Sequence, residues 1–111
     1  MDVRLLELFV CVAEEGSIHA GARRLLIAQP AVSKGLQQLE RQVGTPLVRR
    51  SPQGVELTAA GAVLLDEARD ILDRIGRAMV AVRDTGRRER KITIGLIAGA
   101  VAAGDLTKVI L

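Results

Sequence analysis

SIHAGARRLLIAQPAVSKGLQQLERQVG, residues 17–44, breaks into two short helical patterns around a tight turn. Ser17 is a favoured N-cap, because its hydroxyl can accept from a backbone N–H left open in the first turn. Behind it Ile18, Ala22, Leu25 and Leu26 are expected to be buried. Ile27 to Gln29 forms the turn, and Pro30 suits a first helical position, where its missing N–H costs nothing and its fixed φ already matches. Ala31, Val32, Leu36, Leu39 and Val43 then follow at helical spacing, which predicts one buried stripe. Ser33, Lys34, Gln37, Gln38, Arg41 and Gln42 fall on the outward face. Side chains of these types donate to phosphates or read base edges. Two helices so closely joined, the second polar outside, have the spacing of a helix-turn-helix.

The charge distribution points the same way. The chain has 111 residues, a formal charge of +3 and a pI near 9.8. Residues 1–15 hold Asp2, Glu7, Glu14 and Glu15 against Arg4, whereas residues 16–54 hold Arg23, Arg24, Lys34, Arg41, Arg49 and Arg50 against Glu40 alone. A basic excess concentrated on and after the helix-turn-helix is the footprint of a phosphate-binding face. Phe9 is the one aromatic residue. Single-stranded nucleic acid is usually held by stacking on several aromatic side chains, so the partner expected is duplex DNA.

Other classes of function find little support. At 49% hydrophobic and 26% charged, the chain is globular and large enough for one modest domain with an extension. One Cys and one His allow neither a disulfide framework nor a complete metal site within a single chain, and no cofactor is expected. Cys11 falls in an apolar helical pattern and reads as core packing. Ser17 and His19 stand two residues apart, do not face each other, and lack an acid to orient the imidazole, so no catalytic residue is assigned and an enzyme is not expected. The N-terminus shows no signal-peptide pattern, and the longest apolar run, Ile94 to Gly104, is short of the ~20 residues that span a bilayer. A cytoplasmic protein with no membrane partner is the expectation.

Along the chain, Val3 to Glu15 is a helix apolar on more than one side. One side suits the helix-turn-helix; the other needs a further partner, with another subunit as the candidate. Gly16 ends it. Gly44 ends the second helix of the motif, Thr45-Pro46 turns the chain, and two short extended arms flank Ser51-Pro52-Gln53-Gly54. The result is a small β-wing with Arg49 and Arg50 on its first arm, aimed at DNA backbone or minor groove. Thr58 caps a long helix from Ala59 to about Arg88, along which Leu64, Ala68, Ile71, Ile75, Ala78 and Val82 form a heptad seam. A seam that long reads as a dimerisation surface. Thr85 to Arg90 is a charged hinge, and Lys91 to Gly95 alternates like a strand opening a further domain. The Gly95-x-x-x-Gly99 spacing matches neither a membrane-helix contact of adequate length nor a phosphate-binding glycine loop.

From Leu5 to Gly61 the chain resembles the DNA-binding region of LysR-type transcriptional regulators. The resemblance is carried by Leu8-Phe9-x-x-Val12-Ala13-Glu14-x-Gly16-Ser17, Ala22-x-x-Leu25, Ala28-Gln29-Pro30-Ala31-Val32-Ser33-Lys34, Leu39-Glu40, Gly44-x-x-Leu47, Arg50 and Leu57-Thr58-x-x-Gly61. It implies a mostly α fold with a small β-wing: a winged helix-turn-helix over 1–58 (motif about 18–42, wing 46–58), a linker dimerisation helix over 59–88, and over 89–111 a hinge and the truncated start of an effector-binding domain. It implies that Gln29, Ser33 and Lys34 meet base edges and phosphates, and that Pro30 and Ala31 touch thymine methyls. Ser17 would hold a phosphate at a helix N-terminus, Gln37 and Arg41 would touch phosphates, and Arg50 and Ser51 would reach backbone or minor groove. Gly35 stands where a longer polar side chain is common, and so gives up a base contact. The partners implied are double-stranded operator DNA and a second copy joined through the linker helix, with a tetramer admitted for the full-length protein. A small-molecule effector would act only through that further domain. The alternative is a helical protein-interaction adaptor without specific DNA readout.

Overall fold

A computed structural model describes residues 1–102. In chain order it contains α1 (Val3–Glu15), α2 (Ile18–Leu25), α3 (Gln29–Val43), β1 (Val48–Ser51), β2 (Gly54–Leu57) and α4 (Ala59–Ala102). Residues 1–74 and the residues from 75 onward form separate compact units.

In the first unit the apolar spacing of the sequence becomes one core. Leu5, Leu8, Phe9 and Val12 of α1 meet Ala22 of α2, Val32, Leu36 and Leu39 of α3, and Leu47 before the wing. Each fully buried Leu or Phe there contributes roughly 1.5–3 kcal/mol relative to exposure. Asp2 caps α1 by accepting from the Arg4 N–H, and Gly16 closes it with a left-handed φ of 74°. Cys11 is buried and free, and burial pushes its thiol above the ordinary range, as suits a packing residue rather than a nucleophile.

The second apolar side of α1 is filled from within the chain. Leu6 and Val10 pack with Ala68, and Leu64, Leu65 and Leu72 complete the cluster. Another subunit is therefore not what covers this side of α1. Leu64 and Ala68, expected in the dimerisation seam, face their own domain instead, because the start of α4 lies along α1.

Three further expectations change. α2 ends one residue early: Leu26 turns left-handed (φ 58°), its N–H bonds back to Ala22 and Arg23, and its side chain is 90% exposed rather than buried. In α3 the buried stripe is narrower than expected, since Ala31 and Val43 are exposed while Gly35 is buried. A Cβ on Gly35 would meet Leu8 Cδ1 at 2.6 Å, so this residue allows α3 to approach α1 and does not face outward at all. The third concerns the far end of α4, below.

The wing pairs Val48 with Leu57, Arg49 with Glu56, Arg50 with Val55 and Ser51 with Gly54, antiparallel. Thr58 begins α4 as expected: its Oγ1 accepts from the Gly61 N–H at 3.0 Å and donates to the Pro46 carbonyl at 2.7 Å.

α4 then continues to Ala102, through the hinge expected at Thr85–Arg90 and the strand expected at Lys91–Gly95. A lone strand has no neighbour for its N–H and C=O groups, whereas extending an existing helix adds one hydrogen bond per residue without a new nucleation cost. Thr85 suits the helix by donating from Oγ1 to the Ala81 carbonyl at 2.9 Å. The rest of the segment expected to open a further domain, 103–111, lies outside the described residues.

Candidate nucleic-acid interface

α3 starts without a side-chain cap, with Pro30 in its first turn. Burial of Val32, Leu36 and Leu39 fixes the rotation of the helix, and that rotation presents Gln29, Pro30, Ala31, Lys34, Gln37 and Arg41 to solvent. Ser33 is half-buried at the edge of this face. Ser17 sits at the N-terminus of α2, half-buried, its Oγ accepting from the Ala20 N–H at 3.0 Å. Among the described residues its hydroxyl donates to no other group, which leaves the hydrogen able to meet an anion beside the positive end of the helix.

The wing is held beside α3 by a residue that sequence reasoning counted only as a charge. Glu40, on α3, accepts from the Leu47 N–H at 2.7 Å and the Val48 N–H at 3.4 Å. The root of β1 is thus fixed to α3. A second attachment runs to the end of α1, where the Val55 N–H donates to the Gly16 carbonyl at 2.8 Å. Ser51 closes the tip by donating from Oγ to the Gly54 carbonyl at 3.4 Å. Arg49, Arg50 and Ser51 are exposed on the first arm.

Electrostatically the interface is sharper than the sequence count suggests. Arg24 pairs with Glu14 at 2.8 Å and Glu15 at 3.4 Å, and Arg69 pairs with Glu14 at 2.9 Å, tying α1, α2 and α4 together. The Arg24 hydrogen bond, followed by that of Arg69, holds the Glu14 carboxyl below the usual carboxylate range. Arg24 is thereby compensated locally, and Glu40 is turned onto backbone amides. Lys34, Arg41, Arg49 and Arg50 make no ion pair among the described residues. They leave a positive surface able to displace counterions from a duplex.

The residues expected to read DNA therefore gather on α3, the α2 N-terminus and the wing. The expected dimerisation residues divide. Leu64 and Ala68 pack inward, while Ile71, Ile75, Ala78 and Val82 are exposed, Val82 by 71%. Two interactions at this face escaped the sequence. Glu40 could have been suspected from its isolation among basic residues. The hydrogen bond between the Gln29 amide nitrogen and His19 Nδ1, 2.6 Å long, had no sequence signal, because it joins two helices. Among the described residues, no group of three metal-ligating side chains converges and no helix is long and apolar enough to cross a membrane.

Comparison with known proteins gives consistent matches. Residues 3–62 match the family model described as bacterial regulatory helix-turn-helix protein, lysR family. The chain is 46% identical over 78 residues to the HTH-type transcriptional regulator TfdT of Cupriavidus pinatubonensis (strain JMP 134 / LMG 1197), covering 70% of this chain and 34% of that protein. It is 45% identical over 89 residues to the HTH-type transcriptional regulator ClcR of Pseudomonas putida, covering 80% and 30%. The chain thus spans about a third of the length of these relatives. Among solved structures, the DNA complex of the CbnR DNA-binding domain superposes with a TM-score of 0.74 at 42% identity, covering 78% of this chain and 99% of that one. Full-length CbnR gives 0.73 at 43% identity, covering 75% and 29%.

Proposed function

Because this chain belongs to the lysR family of bacterial regulatory helix-turn-helix proteins, we propose that it is the sequence-specific, duplex-DNA-binding part of a bacterial transcription regulator that acts as a dimer or higher oligomer in the cytoplasm. The observation that carries this reading is the arrangement of α3 and the wing. The exposed face of α3, with Gln29, Lys34, Gln37 and Arg41, and the arm bearing Arg49 and Arg50 are braced to one core and linked through Glu40. A rigid polar helix fits the major groove, and a basic arm beside it reaches the adjoining backbone or minor groove.

In this reading Gln29, Ser33 and Lys34 meet base edges and phosphates, and Pro30 and Ala31 lie against thymine methyls. Ser17, Gln37, Arg41, Arg50 and Ser51 hold the backbone. The functional division is a DNA-binding domain over 1–58, a linker helix over 59–88 whose start packs on that domain and whose exposed stretch from Ile71 takes the second copy, and from 89 onward the passage towards an effector-binding domain. That last assignment is supported by relatives extending well beyond the matched region. Relatives named as transcriptional regulators support a binding protein rather than an enzyme.

Lys34→Ala tests the assignment. Duplex affinity should fall, and the slope of log K against log salt should flatten by about one unit for the phosphate that Lys34 no longer neutralises. Equal affinity of variant and parent across a salt series would reject the role of α3. An adaptor working only through α4 would retain no duplex of scrambled sequence even at low salt.

A further inference from the structure

Gln29 stands at the first position of α3, exposed, and its amide nitrogen lies 2.6 Å from Nδ1 of His19 on α2. An amide nitrogen only donates, so with the amide this way round Nδ1 is the acceptor, a role it can fill only in the tautomer that carries its proton on Nε2. The outward atoms of Gln29 are then Oε1 and the second amide hydrogen. An acceptor beside a donor matches the N6 and N7 edge of adenine. Once the imidazole is charged, Nδ1 carries a proton and only Oε1 of the amide can meet it. The amide must turn over, and the outward group becomes NH2, a double donor that matches N7 and O6 of guanine. The depression shared by His19 and Gln29 is lined from α2 also by Arg23, from the turn by Leu26 and Ile27, and from α3 by Gln29 alone. Arg23 is its charged side chain, and among the described residues no carboxylate lines it.

We propose that His19 is a positioning residue: it sets the hydrogen-bond polarity that Gln29 offers to a base, so that one base pair per half-site is read as A·T when the imidazole is neutral and as G·C when it is charged. The inference rests on the DNA-binding reading above. His19 is exposed, so its replacement leaves the core untouched.

Two measurements on the 111-residue chain test it. In the free protein, the side-chain amide resonances of Gln29 should follow the titration of the His19 ring, and in His19→Ala they should not move with pH. A flat Gln29 signal in the parent overturns the proposal without bearing on DNA binding. Duplexes are then selected from a random pool at about pH 8 and about pH 5.5, across the range where imidazoles ordinarily change charge. At the one position that Gln29→Ala relaxes, the parent's A·T over G·C ratio should fall at least about fivefold on acidification. His19→Asn should keep one preference at both pH values. His19→Ala should weaken selectivity at that position alone. A pH-dependent ratio surviving in His19→Ala, or a uniform loss at every position, overturns the proposal. Recovery of no duplex by any protein, with the Gln29 titration intact, would instead sink the regulator reading and the base-reading role with it.

Discussion

Gly61 and Gly76 both lie inside α4, yet adding a methyl group to each should have opposite effects. A Cβ on buried Gly61 would run into the backbone carbonyl oxygen of Leu47, which already accepts from the Thr58 N–H at 3.0 Å and has nowhere to go. Gly61→Ala should destabilise by about 1–3 kcal/mol, the usual cost of overpacking. Gly76 has nothing within 4 Å of that position, so Gly76→Ala should stabilise by up to about 1 kcal/mol through helix propensity. Urea unfolding should place the two midpoints on either side of the parent; midpoints on the same side would contradict the packing described for Gly61. Glu14 gives a pH-dependent case. Its folded carboxyl titrates below the unfolded value of about 4.3, so its ion pairs contribute stability that is full above that pH. The contribution is lost as pH falls through the lowered folded value. Glu14→Gln should therefore unfold slightly more easily at neutral pH, the loss being small because the pairs are exposed. Its curve should merge with the parent's in acid, and a gap of constant size would show that the charge is not responsible. Gly35 shows why some inward residues are silent in a sequence. The family resemblance set it among base-contacting positions, whereas its spacing from Val32 and Leu39 is that of the inner face, and a residue without a side chain carries no hydropathy signal of its own to decide between them.

At the scale of elements, the helices and the hairpin were legible because their signals are local. Ser17, Gly16, Gly44 and Thr58 mark ends through their own backbone and capping chemistry, and the observed ends fall at those residues. Lys91 to Gly95 misled because alternation over so short a run does not separate strand from helix, and what decides is whether a neighbouring strand exists. The attachment of wing to recognition helix was not legible either, since one carboxylate looks the same in sequence whether it is solvated or capping amides. Its importance can be measured. Glu40→Ala leaves the Leu47 and Val48 N–H groups without their acceptor, which should cost about 1–3 kcal/mol locally. Amide exchange at Leu47 should accelerate far more than at Leu36 in α3, and duplex affinity should drop although one negative charge has been removed. Glu40→Gln, which keeps an acceptor oxygen, should recover most of the protection. Tighter DNA binding by Glu40→Ala would mean that the carboxylate acts as a repulsive charge and not as the hinge pin of the wing.

For the whole molecule the open surface is the exposed apolar series on α4. Ile75, Met79 and Val82 follow one another at intervals of four and three and are 39%, 48% and 71% exposed. Helical residues at this spacing share one stripe, and an exposed stripe of that kind is stable in water when a second helix covers it. Because Leu64 and Ala68 are held by their own domain, the self-association surface should begin further along α4 than the heptad pattern alone implies, at Ile71 and beyond. Ile75→Glu tests this. Burying an unpaired carboxylate in such an interface costs several kcal/mol. The dimer dissociation constant should rise at least about a hundredfold, equivalent to about 2.7 kcal/mol. Sedimentation equilibrium over a concentration series should show the parent as a dimer and the variant as a single chain, with unchanged helix content by circular dichroism. On a two-fold symmetric duplex the variant should also show a salt slope about half that of the parent, because each binding event would then engage one half-site's phosphates. Leu64→Glu should fail differently, by lowering folding stability, since that side chain packs against α1. A variant at Ile75 that still sediments as a dimer and keeps the full slope would show that two copies meet elsewhere, and the stripe on α4 would need a different occupant.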